Sequence, residues 1–417
     1  MGACKDYNKF EKESFYFERL QKALFTDKMV APISVEIDLT NICHQACYYC
    51  NSVIYRAHNP DVATTEDYLR LLDQLPTDTH DITFAGGGEP LDHPDASKIM
   101  NYALRKGFKI GIITNGMGIR KLDFTKDYHP DWIGVDFDSA DPEQYFKIRR
   151  GNLKKTISSV KTKLNEWKEH GTWWTFKYLI NDYNNDPESI KKACELAAEL
   201  GFQEFFMRIV YFDTKTEKIP ELQGLAGGKY GDGLPAWGKK TKGSDRFKGS
   251  GIRTLQPPEG WTWRELEVYT NKICKDLGLE YKQNLGKQEH FAEVLGRGSK
   301  PVGQCFSPLF FPLFTSVGKI LWCCEHRGSD SEKEYTVGNW IKDGLDPLFD
   351  PKMVDKMTNF IKYHKCAIQC RYYKQNQFMT HLDKGEITQE QLIENKNNLT
   401  KQLEEHGDKT GHRAGFF

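Results

Sequence analysis

Short segments of strand-like hydrophobic pattern alternate with helical patterns between residues 33 and 211. Six strands are predicted, at 33–39, 81–85, 108–116, 132–138, 174–180 and 205–211. Helical periodicity separates them, at 65–75, 96–106, 153–170 and 187–200. Strands that alternate with helices are typical of parallel βα units. The pattern therefore predicts an α/β fold built on a partial, TIM-like (β/α)6 barrel.

The pattern changes on both sides of this region and divides the chain into five parts. In chain order we predict an N-terminal helical extension (1–30), the barrel core (31–211), a glycine-rich basic insertion with the last barrel helix (212–300), a small cysteine-rich domain (301–375) and a polar tail with one helix (376–417).

Three cysteines follow the first predicted strand with the spacing Cys-x3-Cys-x2-Cys. They are Cys43, Cys47 and Cys50, and the aromatic Tyr49 precedes the last. Three thiolates can hold three irons of a 4Fe–4S cube, whereas such clusters normally take four cysteines. A structural zinc site is the alternative, but zinc prefers four protein ligands, and His44 next to Cys43 has poor geometry as a fourth. The spacing favours a cluster with one iron left open to another molecule.

Composition narrows the class of protein. The 417 residues are 39% hydrophobic, which supplies a large core, and the formal net charge is zero. No global field therefore favours nucleic acid or membrane as a partner. The N-terminus has no apolar signal core, and no apolar run approaches the ~18 residues of a membrane span. We expect a cytoplasmic protein whose clustered cysteines bind metal rather than form disulfides.

A glycine turn, Gly86-Gly87-Gly88-Glu89-Pro90, follows the second predicted strand. With this turn, the cysteine loop and the alternating strands, the chain over about residues 30 to 375 resembles the radical S-adenosylmethionine (radical SAM) superfamily. The resemblance implies that the amino and carboxylate groups of S-adenosylmethionine chelate the open iron. It also implies reductive cleavage to a 5′-deoxyadenosyl radical that takes hydrogen from a substrate, with electrons from a flavodoxin- or ferredoxin-type donor.

The resemblance also suggests which residues contact S-adenosylmethionine. Glycine permits close backbone approach, so Gly87, Gly88 and Glu89 are expected to meet the methionine ammonium, and Tyr49 to contact the cofactor. Further candidates lie at strand ends: Asn115, Asp136, Asp138, Ser139 and Arg208. Many relatives carry a serine toward the ribose where Asp136 stands, so this position departs from the family pattern. Arg208 suits a carboxylate, but structural salt bridges are an equal alternative for Asp136, Asp138 and Arg208. No catalytic acid or base is indicated.

A second group of cysteines lies between residues 301 and 375. Its members are Cys305, Cys323, Cys324, Cys366 and Cys370. The segment Cys305-x12-Gly318-x4-Cys323 resembles the opening of SPASM and twitch extensions. Gly318 would form a hairpin turn that places Cys323 beside Cys305, and Cys366 and Cys370 would complete one auxiliary 4Fe–4S site. Cys324 is a spare or an alternative to Cys323, and a four-cysteine zinc site is the alternative metal centre.

The substrate is the least determined feature. Auxiliary clusters in related enzymes accept an electron from a substrate radical or bind substrate. Because the barrel starts near residue 30, we expect no peptide-recognition domain before it, which favours a small molecule such as a sugar or sugar nucleotide that is oxidised, epimerised or rearranged. The basic loop at 238–253 could grip a phosphate or could be a solvated loop.

Two alternatives remain open. A peptide-modifying enzyme that matures a ribosomally made peptide is the second prediction for the substrate. A non-catalytic iron–sulfur electron-transfer protein is the alternative of another class. Of the isolated cysteines, Cys194 and Cys274 lie on helical patterns and are expected to be buried apolar residues.

Overall fold

The computed structural model describes residues 11–50, 52–209, 212–213, 252–253, 255, 257–283, 304–328, 332–360 and 372–406. The strands are β1 Ser34–Asp38, β2 Asp81–Ala85, β3 Lys109–Thr114, β4 Trp132–Asp136, β5 Trp173–Ile180, β6 Glu204–Ile209, β7 Phe212–Asp213, β8 Ile252–Arg253, β9 Glu280–Gln283, β10 Leu313–Phe314, β11 Lys319–Leu321 and β12 Thr336–Asn339. The first six lie where the sequence predicts strands.

The helices of the described residues connect and flank these strands. They are α1 Glu11–Phe15, α2 Phe17–Thr26, α3 Val53–His58, α4 Thr65–Gln74, α5 Ala96–Arg105, α6 Pro142–Arg149, α7 Leu153–His170, α8 Pro187–Leu200, α9 Trp263–Asp276, α10 Ser307–Phe310, α11 Trp340–Asp343, α12 Met353–Thr358, α13 Tyr373–Asp383 and α14 Gln389–His406. The sequence pattern does not predict α3, α6 or the helices α10 to α13.

One sheet of ten strands organises the described chain, in the order β12-β11-β10-β1-β2-β3-β4-β5-β6-β9. Strands β1 to β6 are mutually parallel, β9 extends them in parallel beyond β6, and β10 pairs in parallel with β1. Strands β11 and β12 are antiparallel additions. The predicted α/β fold with a partial parallel barrel is confirmed, and the carboxyl ends of six parallel strands share one edge.

The two faces of the sheet differ because successive side chains of a strand point to opposite sides. One face is apolar and buried, for example Val35 and Ile37 in β1 and Val135 in β4. The other face carries polar groups, among them Glu36, Asp38 and Thr83. Helices cover the apolar face, so the polar face lies on the side where strand ends and loops can hold a ligand.

Local signals explain why the long helices begin and end where they do. Helix α7 begins after Asn152, whose side chain accepts from the Lys155 N–H, and ends at Gly171 with φ of 110°. Helix α8 begins after Asp186, with Pro187 at its first position, and ends at Gly201 with φ of 87°. Asparagine or aspartate caps and left-handed glycines are common helix boundaries, and here they agree with the predicted limits.

A second core lies beside the barrel and joins segments far apart in the chain. It includes Phe17 and Leu20 from α2, Met379 from α13, and the residues Cys305 and Trp322. The domain boundary predicted at residue 376 falls inside α13, and buried residues of α13 and α14 make this segment less polar than the sequence suggested. Among the described helices, none has the length and apolar character that crossing a bilayer requires.

Candidate active site

The cysteine loop leaves the carboxyl end of β1 and is fixed at its start by Asp61. The backbone N–H of Asn41 donates to Asp61 Oδ1 at 2.6 Å, and the Thr40 hydroxyl donates to the same carboxylate. Asn41 Nδ2 donates to the Asn59 carbonyl at 2.6 Å. The loop therefore begins from a rigid base before it reaches Cys43.

The glycine turn after β2 lies directly against this loop. The Gly88 N–H donates to the Thr40 carbonyl at 2.9 Å, and the Glu89 N–H donates to the Ile42 carbonyl at 2.7 Å. A Cβ atom at Gly88 would lie 2.2 Å from the Ile42 carbonyl oxygen. Only glycine permits this approach of two backbones, so Gly88 is needed to place the turn beside the cysteines.

We expect the substitution Gly88→Ala to separate the glycine turn from the cysteine loop. Since the new methyl group meets backbone atoms, relief requires breaking both hydrogen bonds, and two such bonds contribute about 1–3 kcal/mol together. The free energy of unfolding in urea should fall by at least that amount. Gly107→Ala is the comparison variant: a Cβ there meets nothing within 4 Å, so its loss of stability measures only the strain of an alanine at a φ of 89°. Equal stability of Gly88→Ala and the unmodified protein would contradict the prediction.

Glu89 is buried and faces the end of β3. Its carboxylate accepts from the Asn115 N–H at 2.7 Å, the Thr114 hydroxyl at 2.5 Å and the Leu91 N–H at 3.2 Å. Burial raises its pKa to about 7, although these bonds favour the charged form. Three of about four acceptor positions of the carboxylate are thus used within the protein, and one is left for a cation such as an ammonium group.

Asn115 lies at the same place but uses its side chain locally. Its Oδ1 accepts from the Met117 N–H at 2.9 Å, which closes the turn after β3. Ser139 is also engaged, since its hydroxyl donates to Gln144 Oε1 at 2.6 Å and accepts from the Asp141 N–H at 2.9 Å. Both residues shape the carboxyl edge of the sheet, and their contacts with a cofactor stay predictions.

Asp138 is the centre of a buried network at the end of β4. The hydroxyl of Tyr49 and Nη1 of Arg149 both donate to its Oδ2, and the Leu179 N–H donates to its Oδ1 at 2.8 Å. Its φ is 60°, in the left-handed region that aspartate tolerates better than most residues. Burial raises the pKa of Asp138, and Arg149 opposes this rise.

Arg149 is a central residue of the site that sequence reasoning missed. It ends α6, and besides Asp138 it donates from Nε to Gln45 Oε1 at 2.9 Å and from Nη1 to the Tyr49 hydroxyl at 2.9 Å. Gln45 and Tyr49 lie within the cysteine loop. A helix signal was present, because Asp141 followed by Pro142 is typical of a helix start, and it would have located the beginning of α6.

Asp136 of β4 forms a second ionic contact, with Lys177 of the neighbouring strand β5. Asp136 Oδ1 is 3.0 Å from Lys177 Nζ, and its Oδ2 is 3.9 Å from Arg149 Nη2. Asp136 is thus paired with cations of the protein. Arg208 lies on the polar side of β6, next to Leu179 of β5 in the sheet register, and its contact with a carboxylate stays a prediction.

The three loop cysteines are half-buried, and positive groups lie near them. Arg56 Nη2 is 3.8 Å from Cys50 Sγ. Desolvation raises the pKa of Cys47 to about 12, while Arg149 acts to lower it. Among the residues described, no three His, Cys, Asp or Glu side chains form a group spaced to bind one metal ion. The loop fits an iron–sulfur cluster for two reasons. It carries three sulfur donors, and the cations of Arg56 and Arg149 lie nearby, where they would stabilise an anionic cluster.

Two of the predicted auxiliary cysteines share the second core. Cys305 Sγ accepts from Trp322 Nε1 at 3.1 Å, and Cys323 follows Trp322 in the same core cluster. The hairpin predicted at Gly318 is present, with φ of 87° between β10 and β11. Cys324 packs with Leu313 and Leu321, and its Sγ also lies 3.8 Å from the hydroxyl of Tyr372, a residue of the second core. The choice between Cys323 and Cys324 as a ligand stays a prediction.

Several predictions fall on residues that the structure does not describe. Cys366 and Cys370 lie outside the described residues, as does most of the basic loop at 238–253. Cys194 of α8 and Cys274 of α9 are described, and both are buried as predicted, with their sulfur atoms 3.7 Å apart.

Comparisons with known proteins relate this arrangement to characterised ones. The chain is 30% identical over 185 residues to the antilisterial bacteriocin subtilosin biosynthesis protein AlbA of Bacillus subtilis (strain 168). The aligned region covers 42% of this chain and 38% of AlbA. It is 32% identical over 134 residues to an S-adenosylmethionine-dependent nucleotide dehydratase of Selenomonas ruminantium, covering 30% of this chain and 46% of that one.

A third relative is the PqqA peptide cyclase of Ruegeria pomeroyi (strain ATCC 700808 / DSM 15171 / DSS-3), 26% identical over 184 residues, or 44% of this chain and 48% of the cyclase. The chain thus spans less than half the length of these curated relatives. The fold resembles the crystal structure of Streptococcus suis SuiB, with a TM-score of 0.53, 15% identity, and 84% of this chain and 72% of SuiB covered.

The family comparison covers the region that holds the site. Residues 37–225 match the model of the Radical SAM superfamily. This segment contains the cysteine loop, the glycine turn and strands β2 to β6. Members of the superfamily use a 4Fe–4S cluster and S-adenosylmethionine. Residues 37–225 of this chain are therefore identified as a radical SAM domain.

Proposed function

We propose that Cys43, Cys47 and Cys50 hold the cluster that binds S-adenosylmethionine, and that the substrate of the enzyme is a peptide. The observation that carries the first part is the pair of backbone hydrogen bonds between the glycine turn and the cysteine loop. They place Gly87, Gly88 and Glu89 next to the cysteines, where a ligand of the open iron would lie. An electron-transfer protein would have no use for this turn.

The residues around the loop have distinct tasks in this proposal. When bound, the cluster supplies the electron that cleaves S-adenosylmethionine to the radical that takes hydrogen from the substrate. Arg149 and Arg56 place positive charge beside the cysteines, which stabilises an anionic group. Asp138 holds Tyr49 and Arg149 in one geometry, and the hydrogen-bonded base at Asp61 keeps the loop from moving. Glu89 keeps one acceptor position for the ammonium group.

Relatives support a peptide substrate over the small molecule favoured by the sequence. A peptide is named as the substrate of the PqqA cyclase, and AlbA serves the biosynthesis of a bacteriocin. The cysteines around Cys305 support an auxiliary site of the kind predicted for either substrate. A nucleotide or sugar nucleotide is the second candidate, because a nucleotide dehydratase is 32% identical over 134 residues.

Deuterium transfer distinguishes the two substrates. Protein reconstituted with iron and sulfide without oxygen would be reduced with dithionite in the presence of S-adenosylmethionine. Extract of cells grown in deuterated medium would then be added as separate peptide and nucleotide-sugar fractions. We expect 5′-deoxyadenosine to gain deuterium from the peptide fraction. Label gained from the nucleotide-sugar fraction alone would contradict the peptide proposal and favour the second candidate.

The auxiliary site can be tested by counting iron. We expect Cys305→Ala to lower the iron content by about four atoms per chain, the content of one 4Fe–4S cluster, since Cys305 would be one of its ligands. The cluster at Cys43, Cys47 and Cys50 should remain and still form 5′-deoxyadenosine. Cys274→Ala is the matched control, because Cys274 is equally buried but lies on α9. Unchanged iron in Cys305→Ala would exclude Cys305 as a ligand.

A further inference from the structure

Arg327 connects the turn that carries Cys323 and Cys324 to the barrel. It is buried, and its Nη2 lies 2.6 Å from Glu36 Oε1 and 2.9 Å from Asp38 Oδ1. Its Nε lies 2.7 Å from Asp38 Oδ2. Glu36 and Asp38 belong to β1, whose end begins the cysteine loop. A guanidinium that spans two carboxylates is held in one orientation by its planar fork.

The same guanidinium reaches the glycine turn. Arg327 Nη1 donates to the Gly86 carbonyl at 3.1 Å. The Gly87 N–H donates to the Asp38 carboxylate, and a Cβ at Gly87 would lie 3.6 Å from Arg327 Cδ. Arg327 therefore holds the carbonyl side of the Gly86–Gly87 peptide directly and its N–H side through Asp38.

The loop that bears Arg327 is supported from two sides. Glu332 accepts from the Gly328 N–H at 2.6 Å and pairs with Lys319. A Cβ at Gly328 would lie 2.7 Å from Tyr55 Cβ, and Tyr55 lies on α3, just after Cys50. The turn at Cys323–Cys324 is thus packed against both the glycine turn and the helix that follows the cysteine loop.

We propose that Arg327 is a positioning residue that couples the Cys323–Cys324 turn to the S-adenosylmethionine site. The inference rests on the proposed function and deepens it. Because Arg327 contacts the glycine turn, whatever fixes the Cys323–Cys324 turn also fixes the peptide groups that meet the methionine moiety. Coupling between two sites is reciprocal, so binding of S-adenosylmethionine orders residues 321–328, and order in residues 321–328 raises the affinity for S-adenosylmethionine.

The first test uses the unmodified, reconstituted protein without reductant, so that S-adenosylmethionine binds without being cleaved. Amide hydrogen exchange of residues 321–328 is measured with and without S-adenosylmethionine, and binding is followed in the same samples by the change in the cluster absorption spectrum. We expect exchange in this segment to slow about fivefold or more, the lower range of measured site coupling. Spectral change without slower exchange overturns the inference. Absence of any spectral change counts against the proposed function, and the inference falls with it.

The second test asks whether Arg327 carries the coupling. Arg327→Lys keeps the positive charge between Glu36 and Asp38 but loses the fork that also reaches Gly86, so the fold should persist. We expect its dissociation constant for S-adenosylmethionine to rise about tenfold, with unchanged iron content and with loss of the slower exchange at 321–328. Arg70→Lys, on the exposed side of α4, is the matched control. Unchanged affinity together with retained slowing in Arg327→Lys overturns the role of Arg327.

Discussion

The Cys47→Ala variant is expected to lose formation of 5′-deoxyadenosine by at least about a hundredfold. Loss of a residue that only orients a metal ligand already costs 10–100-fold in affinity or activity, and Cys47 is proposed as a ligand itself. Only two thiolates would remain on the loop, whereas a 4Fe–4S cluster is normally held by four. The measurement is 5′-deoxyadenosine released per chain after anaerobic reconstitution and reduction, with iron content determined on the same sample.

Cys194→Ala provides the matched control for this variant. Cys194 is buried in α8, away from the loop, and its sulfur atom lies 3.7 Å from that of Cys274. It should retain the cofactor and the activity of the unmodified protein, while its stability falls slightly through the lost volume. Full activity in Cys47→Ala, with iron content unchanged, would show that the loop does not hold the catalytic cluster.

Replacing Arg149 with methionine should destabilise the fold by about 3–5 kcal/mol. Removing one partner of a buried ion pair leaves an uncompensated charge, and here the charge left behind is the carboxylate of Asp138. Methionine fills similar volume, so the loss would reflect charge and hydrogen bonds rather than a cavity. Urea unfolding of the cofactor-free protein under reducing conditions measures it.

The companion substitution Asp138→Asn separates charge from hydrogen bonding. Asparagine is neutral and tolerates the left-handed φ of this position, and its Oδ1 can still accept from the Leu179 N–H. In the Arg149→Met background, Asp138→Asn should therefore restore part of the lost stability, whereas alone it should destabilise. Additive effects of the two substitutions would show that Arg149 and Asp138 do not act as a pair.

The sequence was most informative where periodicity and caps agreed. Helices α7 and α8 begin and end as predicted, because Asn152, Asp186, Gly171 and Gly201 mark their limits. Helix α6 was missed because its eight residues carry little amphipathic pattern. Its cap, Asp141 followed by Pro142, was the only local signal.

The candidate site was predictable as far as topology alone determines it. Parallel strands bring their carboxyl ends to one edge, so the cysteine loop, the glycine turn and Asp138 were expected to lie together. The contacts of Arg327 with Glu36 and Asp38 join residues 291 and 289 positions apart. No periodicity or spacing reports such a pairing, because it is decided by how the hairpin after Cys305 packs on β1.

The core shared by α2, Cys305 and α13 has a consequence for the order of folding. Gln21 of α2 hydrogen-bonds Gln389 of α14, which lies 368 positions later in the sequence, and Phe17 and Met379 pack in the same cluster as Cys305. During synthesis the early helices must wait, at 5–20 residues per second, until these partners leave the ribosome. Strands β1 to β6 are all synthesised before then, so the cysteine loop and the glycine turn can meet early, whereas the surroundings of Cys305 are completed only afterwards.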